Sequence, residues 1–150
     1  MPSSHPALSK ADALAASSTD MSLLIGRVLL GLLFLFFGWS KLTGLGGFQT
    51  YLTNLGVPAP GLMSIVGALA EFTIGVTLVL GLATRYGAML CIIFVAIAVA
   101  LAHRYWEYPA PQQMAQYTNF MKGLSIIGGA FLLFVTGPGR FSVDAMLAKK

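Results

Sequence analysis

Among the ionisable side chains inside or at the ends of long apolar runs are Arg27, Lys41, Glu71, His103 and Lys122. An ionised acid at the centre of a membrane helix costs at least about 2.5 kcal/mol, so Glu71 must be paired, protonated or wetted. Glu71 and His103 together are candidate catalytic residues for a proton relay, because imidazole titrates near neutral pH and a buried carboxyl can take up its proton. Arg27, Lys41 and Lys122 are candidate substrate-binding cations, suited to an anion or to the carbonyl of a quinone. Arg85 and Arg140 lie at the ends of runs and read as structural or docking residues. Glu71 and His103 make too small a donor set for a metal, and no metal site is expected.

The charges share helix faces with small residues. At about 100° per residue, Arg27, Gly31, Phe34, Gly38 and Lys41 fall on one stripe, and Ser64, Gly67, Glu71, Gly75 and Leu78 on another. Lys122, Ser125, Gly129 and Thr136 share a face, and His103 is preceded on its own face by Ala100 and Ala96. Small residues let helices approach closely, so these faces are expected to meet inside a bundle. Arg27 is the expected partner of Glu71, reaching it along an antiparallel neighbour. The plainer alternatives are that Arg27, Lys41 and Lys122 snorkel to the interface and that Glu71 only fixes helix register.

The elements that must position these residues are helical spans. A span needs about 20 mainly apolar residues, and runs at about 22–40, 61–82, 86–103 and 120–137 qualify. Alternation of the kind a membrane β-barrel needs is absent from them. Residues 1–21 read as a polar, disordered cytoplasmic tail and 141–150 as a short cytoplasmic tail, flanking a membrane domain over 22–140. In the first loop, Phe48, Tyr51, Leu52 and Leu55 are spaced for a short interfacial helix ended by Gly56 and the Pro58–Pro60 pair. The turn Ala83–Arg85 forces an antiparallel hairpin, and the loop from His103 to Asn119 carries Tyr105, Trp106, Tyr108 and Tyr117 as an interfacial belt. The fold class is therefore all-α, a four-transmembrane-helix bundle with room for that interfacial helix.

Composition agrees. Of 150 residues, 57% are hydrophobic and 9% charged, against roughly 25% charged in a soluble domain. The net charge of +4 does not mark a nucleic-acid binder, because the basic residues are scattered and form no run with aromatics. Placing Lys10, Arg27, Arg85, Arg140, Lys149 and Lys150 on one side and Lys41, Arg104 and Lys122 on the other puts both termini in the cytoplasm by the positive-inside rule. The one cysteine, Cys91, permits no intrachain disulfide or C-x-x-C chemistry.

Taken in order, Arg27…Gly31-Leu-Leu-Phe34…Gly38-Trp-Ser-Lys41-Leu42, then Gly56-Val-Pro58, Glu71…Gly75…Gly81-Leu-Ala-Thr84-Arg85, His103, Phe120-Met-Lys122 and Gly137-Pro138-Gly139-Arg140-Phe-Ser142-Val-Asp144 resemble the DoxX family over residues 22–146. The resemblance implies a bacterial four-helix inner-membrane protein. It further implies a membrane oxidoreductase context, since some members associate with redox-stress assemblies and the related DoxD proteins are subunits of a thiosulfate:quinone oxidoreductase. It carries over no catalytic residues.

The leading expectation is thus a membrane subunit of a quinone-linked oxidoreductase or redox-stress complex, with quinone as ligand and no intrinsic cofactor. Its expected partners are the lipid bilayer, a redox partner subunit or peripheral enzyme, and a second copy in a homodimer. The alternatives are a non-catalytic membrane anchor or assembly factor and, behind both, a small-solute transporter. Whether the chain is itself an enzyme stays open on sequence alone.

Overall fold

The structure, a computed structural model, describes residues 6–149. Helices α1 (Pro6–Thr43), α2 (Leu45–Asn54), α3 (Pro60–Leu80), α4 (Thr84–Ala102), α5 (Ala110–Thr136) and α6 (Val143–Leu147) follow in order, with a 3-10 turn at Tyr105–Glu107. Four of them, α1, α3, α4 and α5, are long and apolar enough to cross a membrane. The all-α membrane bundle is as expected.

Two boundaries differ from the hydropathy reading. The described part of the N-terminal tail is helical and continuous with the first span. Ala and Leu dominate from Ala7 to Ala16, so intrinsic propensity carries the helix where hydropathy does not. At about 1.5 Å per residue, 38 residues far exceed the roughly 30 Å of a hydrocarbon core, and residues 9–19 are exposed. The first five residues of the expected tail, and Lys150, lie outside the described residues. The last span likewise starts at Ala110 rather than near Phe120. Pro111 and the helix-forming Gln112, Gln113 and Met114 begin it, and their polarity hides a helix from a hydropathy window.

The expected interfacial helix is α2. It closes with Val57 N–H donating to Leu52 and Gly56 N–H to Thr53, both at 3.0 Å, with Gly56 at φ +71°; this is a Schellman ending.

The closest packing joins α1 to α3. A Cβ added at Gly38 would lie 2.5 Å from the backbone nitrogen of Phe72, and one at Gly31 would lie 2.8 Å from that of Val79. The two backbones therefore touch, which any larger residue forbids. α3 then packs on α4 and α4 on α5, while α5 hardly touches α1. The core between them holds Phe34, Ile74, Leu78, Cys91, Val95, Ala130 and Leu133.

The stripes expected on α1 and α3 do turn inward: Arg27, Gly31, Phe34, Gly38, Ser64, Glu71, Gly75 and Leu78 are all buried. Those expected on α4 and α5 do not. The inner face of α4 is Gly87, Cys91, Val95 and Val99, leaving Ala96 and Ala100 exposed. On α5, Gly123, Ala130 and Leu133 are buried, whereas Lys122, Ser125, Gly129 and Thr136 are exposed. Both helices are apolar around most of their circumference, so a few small residues cannot define an inner face when lipid is as good a solvent as the core.

Candidate functional site

Glu71 sits mid-way along α3 where Gly38 of α1 passes it; a Cβ on Gly38 would lie 3.0 Å from the Glu71 carbonyl carbon. From the last turn of α1, Lys41 reaches back and its ammonium hydrogen-bonds the Glu71 carboxylate. The Glu71 side chain is 7% exposed and that of Lys41 30%. The Lys41 ammonium also lies 4.9 Å from the centre of the Phe48 ring of α2, within cation–π range. The same ring packs over Gly67 of α3. The short helix α2 thus lays an aromatic face across the mouth of the ion pair.

Arg27 does not pair with Glu71. It lies eleven residues before Gly38 on α1, about 16 Å along the helix axis, beyond the reach of a guanidinium. Antiparallel packing sets it instead against the C-terminal turn of α3. There its Nη1 donates to the carbonyls of Leu78 and Val79 at 2.9 and 2.7 Å, and its Nη2 donates to the Phe141 carbonyl. The carbonyls of a helix's last turn lack intrahelical partners and carry the negative end of its dipole. Arg27, buried to 3% exposure, caps them.

The same end is latched by the segment after α5. Asp144 accepts the backbone N–H of Ala83 at 2.7 Å, and the N–H and hydroxyl of Thr84 at 2.9 Å each. Its own N–H donates to Gly81 at 2.9 Å. Ala83, the N-cap of α4, holds φ +48°, a left-handed conformation that disfavours a residue with a Cβ, and its methyl side chain has no acceptor with which to cap the helix. Asp144 supplies the missing cap from across the chain. Burial pushes its carboxyl up, but the hydrogen bonds from Thr84 and Ala83 and the charge of Arg27 outweigh that and hold its pKa below the usual carboxylate value.

Arg85 and Arg140 serve this end too. Arg85 lies along the end of α5, its Nη2 donating to the Val135 carbonyl at 3.4 Å. Arg140 stacks on Phe141 at 5.1 Å while its N–H donates to Asp20 at 2.9 Å.

At the opposite end, His103 is joined to a residue not anticipated from sequence: its Nδ1 lies 2.8 Å from Gln116 Oε1. No hydrogen bond links His103 to Glu71 among the described residues, so the two do not form a direct relay. Lys122 is exposed on α5 and does not join Lys41. The expected aromatic belt is a packed cluster, with Tyr105 edge-on to Trp106, Tyr117 and Phe120 at 5.1 to 5.6 Å. Tyr108 donates to the Ala102 carbonyl at 3.1 Å; burial, with a smaller contribution from Tyr108, pushes the Tyr51 hydroxyl of α2 above its ordinary pKa.

Gln116 was missed because its segment reads as loop. Asp144 falls in the quoted C-terminal motif, but its role needs the turn at Ala83, which is distant in sequence. The sequence places Phe48 on the interfacial helix, but its position over Lys41 depends on how α2 folds back. Among the described residues, no group of three or more His, Cys, Asp or Glu could hold a metal ion.

This arrangement of a four-span bundle, with a charged pair under α2 and a C-terminal latch, can be set beside known proteins. Residues 22–104 match the DoxX family model, from just before Arg27 to just beyond His103. The chain belongs to the DoxX family. It is 36% identical to the inner membrane protein YphA of Escherichia coli over 81% of this chain and 87% of that one. It is 37% identical to the inner membrane protein YqjF of the same organism, over 87% of this chain and 95% of that one. A shorter stretch, 44% of this chain and 22% of the other, is 32% identical to a Surfeit locus protein 4 homolog of Schizosaccharomyces pombe. No solved structure matches. The DoxX match spans both members of the Lys41–Glu71 pair and all of α2, while the Asp144 latch lies beyond it.

Proposed function

We propose that this DoxX-family protein is a bacterial inner-membrane subunit of a quinone-linked oxidoreductase or redox-stress complex, with both termini in the cytoplasm. The inner-membrane assignment follows the names of its Escherichia coli relatives. The orientation follows from the excess of Lys and Arg on the Arg27 side.

The observation that carries the reading is the Lys41–Glu71 pair. An ammonium 30% exposed, beside an aromatic ring and backed by a buried carboxylate, offers a quinone carbonyl a donor and its reduced oxygen a proton source. Converting a quinone to a quinol takes two electrons and two protons. The electrons come from a partner subunit or the substrate; the Lys41–Glu71 pair serves the proton added to one carbonyl oxygen, and the other oxygen takes its proton from water at the membrane surface. His103, hydrogen-bonded to Gln116 at the same end, exchanges protons with the aqueous side.

The test is binding of a short-chain ubiquinone to the protein in nanodiscs, for wild type, Lys41→Met, Glu71→Gln and His103→Ala. The reading expects saturable binding weakened at least tenfold by Lys41→Met and Glu71→Gln, and little changed by His103→Ala. Saturable binding absent from folded wild type sinks it.

A second reading, a non-catalytic anchor or assembly factor, is favoured by the exposed helical extension of α1, a ready docking rod. It expects redox activity of the assembly to survive Glu71→Gln and to fail on deletion of residues 1–19.

A further inference from the structure

Between α1 and α5, which scarcely touch, runs an open groove of about 560 Å³. Its walls are mostly apolar, from Leu23, Gly26 and Leu30 on α1 and Gly129, Leu132 and Leu133 on α5. Among the described residues, no other helix comes within 4 Å of where a Cβ would stand on Gly26 or Gly129. In a bilayer such a slot is filled by something apolar and slender.

One end of the groove is basic. Arg27 lies in its wall, and its Nε is buried without a hydrogen-bond partner among the described residues. Arg85 lies against Val135 and Gly137, adjoining the groove residue Thr136. The backbone of Arg140 is held on Asp20, with neighbouring Gly139 packed on the groove residue Leu23. Arg85 and Arg140 are exposed, and none of the three arginines forms an ion pair with a described residue. The carboxylates at this end, Asp20 and Asp144, each already accept backbone N–H groups.

We infer that the α1–α5 groove is a binding site for an anionic phospholipid, one acyl chain lying in the slot and the phosphate held by Arg85 and Arg140. Basic pockets between transmembrane helices recognise lipid headgroups in this way, and Arg27 adds fixed positive potential behind them. A soluble phosphate has no use for the apolar slot, so the occupant is a lipid. The inference is independent of the quinone reading, because it concerns the opposite end of the bundle.

The test is native mass spectrometry of the detergent-purified protein, offered equal phosphatidylglycerol and phosphatidylcholine. Wild type is expected to retain phosphatidylglycerol at least fivefold over phosphatidylcholine. The double variant Arg85→Gln/Arg140→Gln is expected to lose that preference but still hold lipid. Gly129→Phe, which fills an open position, is expected to hold neither lipid while keeping the wild-type melting temperature. Equal retention of the two lipids by wild type overturns the proposal, as does a preference that survives the double variant. Full competition by soluble glycerol phosphate overturns the role of the slot. A dimer that Gly129→Phe converts to monomer makes the groove a subunit interface and overturns the proposal too.

Discussion

The carboxylate of Asp144 caps α4 through Thr84, accepting its backbone N–H and its hydroxyl at 2.9 Å each across 60 residues of chain. Together with the Arg27 contacts to Leu78, Val79 and Phe141, it closes one end of the bundle. The C-terminal segment is therefore a structural part of the membrane domain. Asp144→Ala removes an N-cap and leaves Ala83 strained without its acceptor. The expected loss is about 1–2 kcal/mol, read as a lower midpoint of unfolding in mild detergent. A midpoint equal to wild type would mean the latch contributes nothing to stability.

The latch also gives stability a pH dependence of known sign. The Asp144 carboxyl has its pKa lowered below the ordinary 3.8 by folding, so the folded state favours the ionised form. Its contribution is full above the unfolded value and is lost as pH falls through the folded one. Between pH 6 and 5 stability should show no change from this group, and it should fall below about pH 4. Asp144→Asn, scanned over the same range, should lack that acid-side component.

The ion pair should respond asymmetrically to removal of its partners. Lys41→Met strands a carboxylate that is 7% exposed, whereas Glu71→Gln strands an ammonium that is 30% exposed and can reach water. Breaking a buried pair costs about 3–5 kcal/mol when the remaining charge stays buried. Lys41→Met is expected near the lower end of that range and Glu71→Gln at about 1 kcal/mol. The double variant should recover most of the Lys41→Met loss, and equal losses from the two single variants would contradict the burial difference.

Glycines in the helices separate by location. Gly38→Ala drives a Cβ against the backbone of Phe72 and is expected to cost about 3 kcal/mol or more, because a backbone cannot yield as a side chain does. Gly128→Ala meets nothing within 4 Å among the described residues and should stabilise by about 0.5–1 kcal/mol through helix propensity. Paired thermal melts of the two variants give the comparison.

The number of spans, the membrane as solvent and the inward faces of α1 and α3 were legible in the chain itself. Long apolar runs have one stable state in lipid, because every backbone group must be hydrogen-bonded within its own helix. Charges flanked by glycines also mark a face that must be sheltered. The α2 helix was legible from its aromatic spacing and its Gly56 stop. The extension of α1 and the early start of α5 were not, because their residues form helix without being apolar.

Partner choice was decided only by tertiary structure. Arg27 and Lys41 share one stripe, and both are long cations able to meet Glu71. The antiparallel register, fixed by Gly31, Gly38 and Gly75 pressing on the opposing backbone, sets Glu71 near Lys41 and sends Arg27 to the end of α3. The inner faces of α4 and α5 were equally undetermined by sequence, since apolar residues surround both helices and lipid competes with protein for each. Which side of such a helix is buried depends on the shape of its neighbours, and that information exists only once the helices are packed.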